Sequence, residues 1–173
     1  MLGRHAVHYR TGKAMPAELL ERLLAARNFG QGFATVEYTA SAIVDLDLHL
    51  LERPDGLDVT AFEAATLERI GMPPEIVPRH RTPHFAHVFS GGGYAAGYYS
   101  YLWSEMLDAD GFAAFLEAGG AFDPGVAARL REFVYAAGNL RDPGEAYLAF
   151  RGRLPSLDPL LRQRGLWRSA GEE

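Results

Sequence analysis

The sequence has no cysteine among its 173 residues, and this absence removes several kinds of chemistry at once. It excludes disulfide bonds, thiolate metal sites and cysteine nucleophiles. Without cysteine, redox arguments do not determine the cellular compartment, and a reducing cytoplasm is the simplest expectation. Long apolar runs are lacking as well: none reaches the roughly 18 residues of a membrane span, and the first residues lack the apolar core of a signal peptide. We therefore expect no membrane partner.

Positive charge is in short supply. Lysine and arginine total 17 against 22 aspartates and glutamates, which gives a formal net charge of −5. Nucleic-acid phosphates require a basic face, so we expect no nucleic-acid partner. Arginines do cluster locally, and Arg79 with Arg81 could hold an anionic group.

Helical periodicity dominates the sequence, and its length suits one domain. The predicted fold is all-α: a multi-helix orthogonal bundle over a single domain of residues 1–173, with a Pro/Gly-rich loop and at most a short β element at Phe85–Phe89. The first two long helical patterns predict these apolar positions, the first four on one face and the others in the core: Leu19, Leu20, Leu23, Leu24, Val36, Ile43, Val44, Leu48 and Leu51.

The stretch HFAHVFSGGGYAAGYYSYLW, residues 84–103, concentrates imidazoles and ring hydroxyls. If Tyr94 opens a helix, then Tyr94, Tyr98 and Tyr101 share one face at i, i+4 and i+7. Two interpretations stay open at this point. The stretch is either a buried aromatic helix whose hydroxyls are satisfied internally, or a wall of donors for a polar ligand.

A run of three glycines precedes these tyrosines. Gly91, Gly92 and Gly93 leave backbone amides free to meet a carbonyl or an anion. The run also matches a loose dinucleotide-binding pattern, G-x-G-x-x-A, but that pattern requires a βαβ unit, and the sequence continues with helix upon helix. A dinucleotide site is therefore not expected.

Two groups of histidines raise the question of a metal site. His80, His84 and His87 are separated by a proline that breaks any helix aligning them, and no carboxylate nearby completes a ligand set. His5 and His8 form H-x-x-H, a spacing common on helix surfaces. No H-E-x-x-H occurs anywhere, so we expect this chain to bind no metal by itself.

Residues 26–49 (ARNFGQGFATVEYTASAIVDLDLH), residues 77–115 and the closing GLW together resemble the C-terminal part of the thimet-oligopeptidase family. These are zinc metallopeptidases that include oligopeptidase A and the bacterial peptidyl-dipeptidases. The run YAAGYYSYLW is most similar to the peptidyl-dipeptidase and oligopeptidase A branch. The resemblance extends over nearly the whole chain and implies a hydrolase of short peptides.

In that family an H-E-F-G-H motif supplies two zinc ligands and the catalytic glutamate, and a later glutamate supplies the third ligand. All of them lie upstream of the segment that this sequence resembles. The resemblance therefore implies the last quarter of such an enzyme, inactive alone, with zinc as the cofactor of the intact enzyme only.

The resemblance also implies roles for particular residues. His87 and Tyr101 would hydrogen-bond the scissile carbonyl as it becomes an oxyanion, whereas Tyr94 and Tyr98 would bind the substrate backbone. The glycine loop would move over the substrate. Arg79 and Arg81 would meet the C-terminal carboxylate of the peptide.

The sequence leaves three alternative functions for the chain. It is the substrate-binding portion of a zinc oligopeptidase, one half of a split metallopeptidase, or a non-catalytic helical module that binds peptides or a partner. The expected partners are a short peptide and an upstream zinc-bearing portion. Self-association through an exposed apolar surface is expected for the isolated chain.

Overall fold

The computed structural model describes residues 2–167, and regular structure within that range is helical. The all-α prediction is confirmed. Among the described residues, β-type pairing is limited to one isolated antiparallel bridge between Val7 and Ala14. No helix in the same range is both long and apolar enough to cross a lipid bilayer. The α-helices are α1 (Leu2–His5), α2 (Ala17–Ala26), α3 (Gln31–His49), α4 (Val59–Arg69), α5 (Ser100–Glu117), α6 (Pro124–Leu130), α7 (Pro143–Arg151) and α8 (Asp158–Arg164).

The chain folds as two compact units. The central unit is Gly30–Glu105, and the terminal unit combines the described residues up to Phe29 with those from Met106 onward. Helix α5 begins in the first and continues into the second. The prediction of a single domain over residues 1–173 stays a prediction.

Aspartate caps fix where several helices begin. Asp58 accepts hydrogen bonds from the backbone amides of Thr60 and Ala61, each at 3.0 Å, and so caps α4. Asp123 and Asp142 cap α6 and α7 in the same way, each followed by a proline in the first turn. These starts are therefore set by local sequence.

The core of the central unit lies between α3 and the segment that leads into α5. Ala42 packs there with Phe85, Val88 and Tyr98, and Tyr38 covers the cluster from one side. At Phe85–Phe89, where the sequence allows at most a short β element, the backbone is helical: residues 82–84 and 86–89 form two short 3-10 helices. With three residues per turn, they bury every third side chain of this segment: Thr82, Phe85 and Val88.

Several apolar positions that sequence periodicity assigns to one face of α2 or to the core are exposed. Leu19, Leu23 and Leu24 of α2 retain 51%, 48% and 50% of their surface, and Val36 of α3 retains 46%. Periodicity identifies which residues share a face of a helix, but it does not say what covers that face.

A buried carboxylate organises the terminal unit. Asp110 on α5 has no exposed surface and accepts hydrogen bonds from Tyr147 Oη at 2.7 Å and Arg153 Nη2 at 2.6 Å. Arg151 Nε adds a contact at 3.2 Å and pairs through both terminal nitrogens with Glu117. Burial alone would raise the pKa of Asp110, but these hydrogen bonds and positive charges outweigh it and hold the pKa below its ordinary value. The hydrogen bond from Arg151 likewise lowers the pKa of Glu117.

The terminal unit is therefore expected to lose stability in acid. The pKa values of Asp110 and Glu117 are lower folded than unfolded, so their stabilisation is fully present above about pH 4.5 and is lost as the pH falls through the folded values. The urea midpoint between pH 7 and pH 2.5, followed through Trp167 in a Trp103→Phe background, measures this. Glu117→Gln should make the pH dependence shallower, and an unchanged slope would contradict the assignment.

Candidate functional site

The tyrosine-rich stretch is not one continuous helix. Helix α5 begins only at Ser100, and the nine residues before it form successive turns. The prediction that Tyr94 and Tyr98 lie on one face of a helix is therefore wrong. Ala96, between them, has a φ of 55°, a left-handed backbone conformation that residues with a Cβ rarely adopt and that a continuing helix excludes.

The turns nevertheless bring the predicted site residues together around one histidine. The ring of His87 lies edge-on to Tyr94 at 4.9 Å between centroids, and Tyr98 and Tyr101 follow at 5.9 Å each. Tyr101 Oη and His87 Nε2 are 3.3 Å apart and share a hydrogen bond. We call these four residues the His87 cluster.

Exposure divides the His87 cluster into an accessible and a supporting part. Tyr94 and Tyr101 retain 48% and 50% of their surface, whereas Tyr98 retains only 8%. The ring of Tyr98 stacks on Tyr38 at 4.9 Å and meets Phe85 edge-on at 4.8 Å. The interpretation as a buried aromatic element therefore fits Tyr98 alone, and two hydroxyl-bearing rings stay open to a ligand.

The glycine run lies open beside the cluster. At Gly91, Gly92 and Gly93 no atom lies within 4 Å of where a Cβ would stand, and all three are exposed. Among the hydrogen bonds of the described residues, none uses their amide N–H groups. Gly91 has a φ of 125°, a conformation that only glycine adopts readily.

The two arginines of the candidate site are paired within the chain. Arg79 Nη2 donates a hydrogen bond to Glu37 Oε2 at 3.2 Å. Arg81 Nε donates to Glu63 Oε1 at 2.8 Å, and the other oxygen of that carboxylate accepts from the Thr82 amide at 2.6 Å. A cleft of about 640 Å³ adjoins Arg81, and its lining includes no member of the His87 cluster. The role of both arginines in binding a substrate carboxylate stays a prediction.

The histidines are not arranged as zinc ligands. Nowhere between residues 2 and 167 do three or more histidine, aspartate or glutamate side chains come together in a way that could hold a metal ion. The ring of His80 instead stacks on Phe85 at 4.9 Å, and His84 is exposed. The side chains of the described residues do not fit a zinc site.

One residue of this region is not among the sequence-predicted site residues. Asp45 on α3 has 1% of its surface exposed and accepts hydrogen bonds from the amides of Ala96 at 3.1 Å and Tyr98 at 2.9 Å. The only local sign of it is a carboxylate within the most buried part of α3, where its neighbours are apolar or small.

The fold and the site define an all-helical protein with an accessible histidine–tyrosine cluster beside an open glycine loop. Comparison with known proteins assigns the chain to a family. The sequence model of Peptidase family M3 matches residues 1–166, and the chain belongs to this family.

The individual relatives agree with that assignment. The chain is 41% identical to the dipeptidyl carboxypeptidase of Escherichia coli K12 over 169 residues, which cover 96% of this chain and 24% of the relative. It is 39% identical over 168 residues to the probable cytosolic oligopeptidase A of Arabidopsis thaliana (93% and 23%) and 37% identical over 163 residues to the oligopeptidase A of E. coli (92% and 23%). The chain thus spans about a quarter of the length of these relatives, and the resemblance seen in the sequence is confirmed.

Proposed function

We propose that the chain supplies the substrate-binding wall of a zinc-dependent peptidase that cleaves short peptides, and that His87 and Tyr101 bind the scissile carbonyl oxygen as it acquires negative charge. The observation that carries this proposal is the pairing of Tyr101 Oη with His87 Nε2 at 3.3 Å on an accessible face. Both groups can donate a hydrogen bond to one oxygen atom placed between them.

The chemistry of the pair suits a developing oxyanion. Without a ligand, the hydroxyl and the imidazole share one hydrogen bond. A carbonyl oxygen that enters between them replaces this bond with two, and both become charge-assisted when the oxygen is an oxyanion. Because such donors stabilise the transition state more than the ground state, removing one typically lowers kcat about 10²–10³-fold.

The other residues of this substrate-binding surface would hydrogen-bond the backbone of the peptide. Tyr94, half exposed beside His87, offers a hydroxyl to a peptide amide or carbonyl. Gly91, Gly92 and Gly93 offer free amides from a loop that can move over a ligand. Tyr98 retains little exposed surface, so its main contribution is to support the other rings.

Peptidases of family M3 depend on zinc, which when bound supplies an activated water. The described residues do not provide the donors for it, so we propose that hydrolysis requires a zinc-bearing portion from outside residues 2–167. The exposed leucines of α2, in the terminal unit, offer an apolar face for such a portion or for a second copy. A split enzyme and a single longer enzyme are both compatible with this division of roles.

Peptide binding by the chain tests the proposal without requiring hydrolysis. An N-acetylated tetrapeptide titrated into ¹⁵N-labelled chain is expected to shift the resonances of His87 and of the glycine amides in a saturable way. Tyr94→Phe should weaken binding by several-fold, since one hydrogen bond contributes about 1 kcal/mol.

The matched control is Tyr99→Phe. Tyr99 is as exposed as Tyr94, at 48%, and belongs to the same unit, but it makes no ring contact with His87 among the described contacts. Equal weakening by both substitutions, or peptide shifts confined to residues far from the cluster, would contradict the proposed site.

A further inference from the structure

The buried carboxylate of Asp45 fixes the backbone from which two rings of the His87 cluster project. We infer that Asp45 is a positioning residue: it holds the turn at residues 94–98 so that Tyr94 and Tyr98 face His87. This inference rests on the proposed function of the cluster, and it concerns how that site is assembled.

The contacts of Asp45 are directed at this turn. Its Oδ1 accepts from the amide of Ala96 at 3.1 Å and its Oδ2 from the amide of Tyr98 at 2.9 Å, across 51 and 53 residues of sequence. His49, one turn further along α3, lies with Nδ1 2.8 Å from Oδ1. The side chain of Asp45 has no exposed surface, and each of its oxygens accepts a hydrogen bond from a backbone amide.

The turn needs such a partner because of its conformation. Ala96 has a φ of 55°, in the left-handed region that an alanine adopts only when its surroundings impose it. Tyr94 and Tyr98, two residues before and two residues after Ala96, carry the rings at issue. Since Ala96 and Tyr98 donate to the same carboxylate, a change in either hydrogen bond would let the turn relax and rotate Tyr94 and Tyr98 away from His87.

A carboxylate is suited to this role, and an amide is not. Aspartate presents two acceptors to two N–H groups, whereas asparagine presents one acceptor and one NH₂ donor. Asp45→Asn therefore leaves one buried backbone amide facing another donor, although size and shape hardly change. The substitution perturbs the turn without opening a cavity.

The test compares Asp45→Asn with Asp58→Ala in the full chain. Asp58 also accepts from two backbone amides within the central unit, but it caps α4 and does not touch the turn. We expect Asp45→Asn to shift the ring resonances of His87 and to weaken tetrapeptide binding by roughly 10-fold. Asp58→Ala is expected to lower the urea midpoint and leave the His87 resonances in place.

Ala96→Gly provides a rescue. Glycine adopts the left-handed conformation without strain, so Asp45→Asn combined with Ala96→Gly should return the His87 resonances toward those of the parent. A role limited to overall stability predicts no such return. If Asp45→Asn unfolds the central unit, Asp45→Glu retains the charge while displacing the carboxylate by one methylene, and it should shift the same resonances.

The outcomes separate the two proposals. His87 resonances unchanged in the folded Asp45 variants, or changed equally in Asp58→Ala, would overturn the positioning role. Absence of peptide binding by the parent chain would instead refute the proposed function, while the resonance comparison would still decide the role of Asp45.

Discussion

Replacing Tyr101 with phenylalanine is expected to lower kcat/KM for a short peptide by about 10²–10³-fold in an enzyme that carries this segment. A suitable enzyme is a chimera in which this chain replaces the matching quarter of the E. coli dipeptidyl carboxypeptidase, to which it is 41% identical. The loss should appear mainly in kcat, because the hydroxyl lies beside His87 Nε2, where it would donate more strongly to an oxyanion than to a neutral carbonyl.

Tyr99→Phe in the same chimera is the control. Tyr99 and Tyr101 have similar exposure, 48% and 50%, and both substitutions remove a single oxygen. Turnover within about twofold of the parent is expected for the control, as for most surface changes away from special features. If the two variants lost the same activity, or if Tyr101→Phe raised only KM, the assignment of Tyr101 to the oxyanion would be wrong.

Asp110→Ala is expected to reduce the free energy of unfolding of the terminal unit by about 3–5 kcal/mol. The substitution leaves Arg151, whose side chain is 6% exposed, with only Glu117 to balance it. It also removes the nearer of two acceptors of the Tyr147 hydroxyl, at 2.7 Å, and the carboxylate acceptor of Arg153, at 2.6 Å. Loss of the buried ion pair with Arg151 and of these hydrogen bonds accounts for the expected destabilisation.

Urea unfolding of the full chain, followed by Trp167 fluorescence in the Trp103→Phe background, measures this loss. Asp108→Ala, at an exposed position on the same helix, serves as control and is expected to change the free energy by less than about 0.5 kcal/mol. A loss below about 1 kcal/mol in Asp110→Ala would show that Asp110 does not organise the unit.

Local sequence predicts helix boundaries well where a cap is involved. Asp58, Asp123 and Asp142 each provide an acceptor for the first-turn amides, and each of the three helices begins directly after its capping aspartate. A side chain that bonds to the backbone two or three residues away leaves a mark in the sequence itself.

The same reasoning fails between Gly93 and Ser100. The spacing of the tyrosines there is compatible with a helix, but the amides of Ala96 and Tyr98 donate to Asp45, more than fifty residues away along the chain. No local pattern reveals a partner at that distance. The left-handed conformation of Ala96 accompanies this contact and could not be predicted from the identity of the residue.

Burial of the aromatic residues shows a similar limit. Tyr99 and Trp103 have the spacing of a helix core, yet they retain 48% and 56% of their surface. The composition of the stretch was nevertheless informative, because His87, Tyr94 and Tyr101 do meet, by way of turns instead of one helical face. Their roles toward a substrate remain predictions that the experiments above address.

Hydrolysis of a quenched fluorescent peptide by the purified chain, with zinc added and with a chelator as control, tests the central claim most directly. The account predicts no turnover by the chain alone and chelator-sensitive turnover by the chimera, because the chain carries the carbonyl-binding donors without the zinc ligands. Chelator-sensitive turnover by the chain alone that is lost in Tyr101→Phe would contradict it, since His80, His84 or His87 would then have to build a metal site.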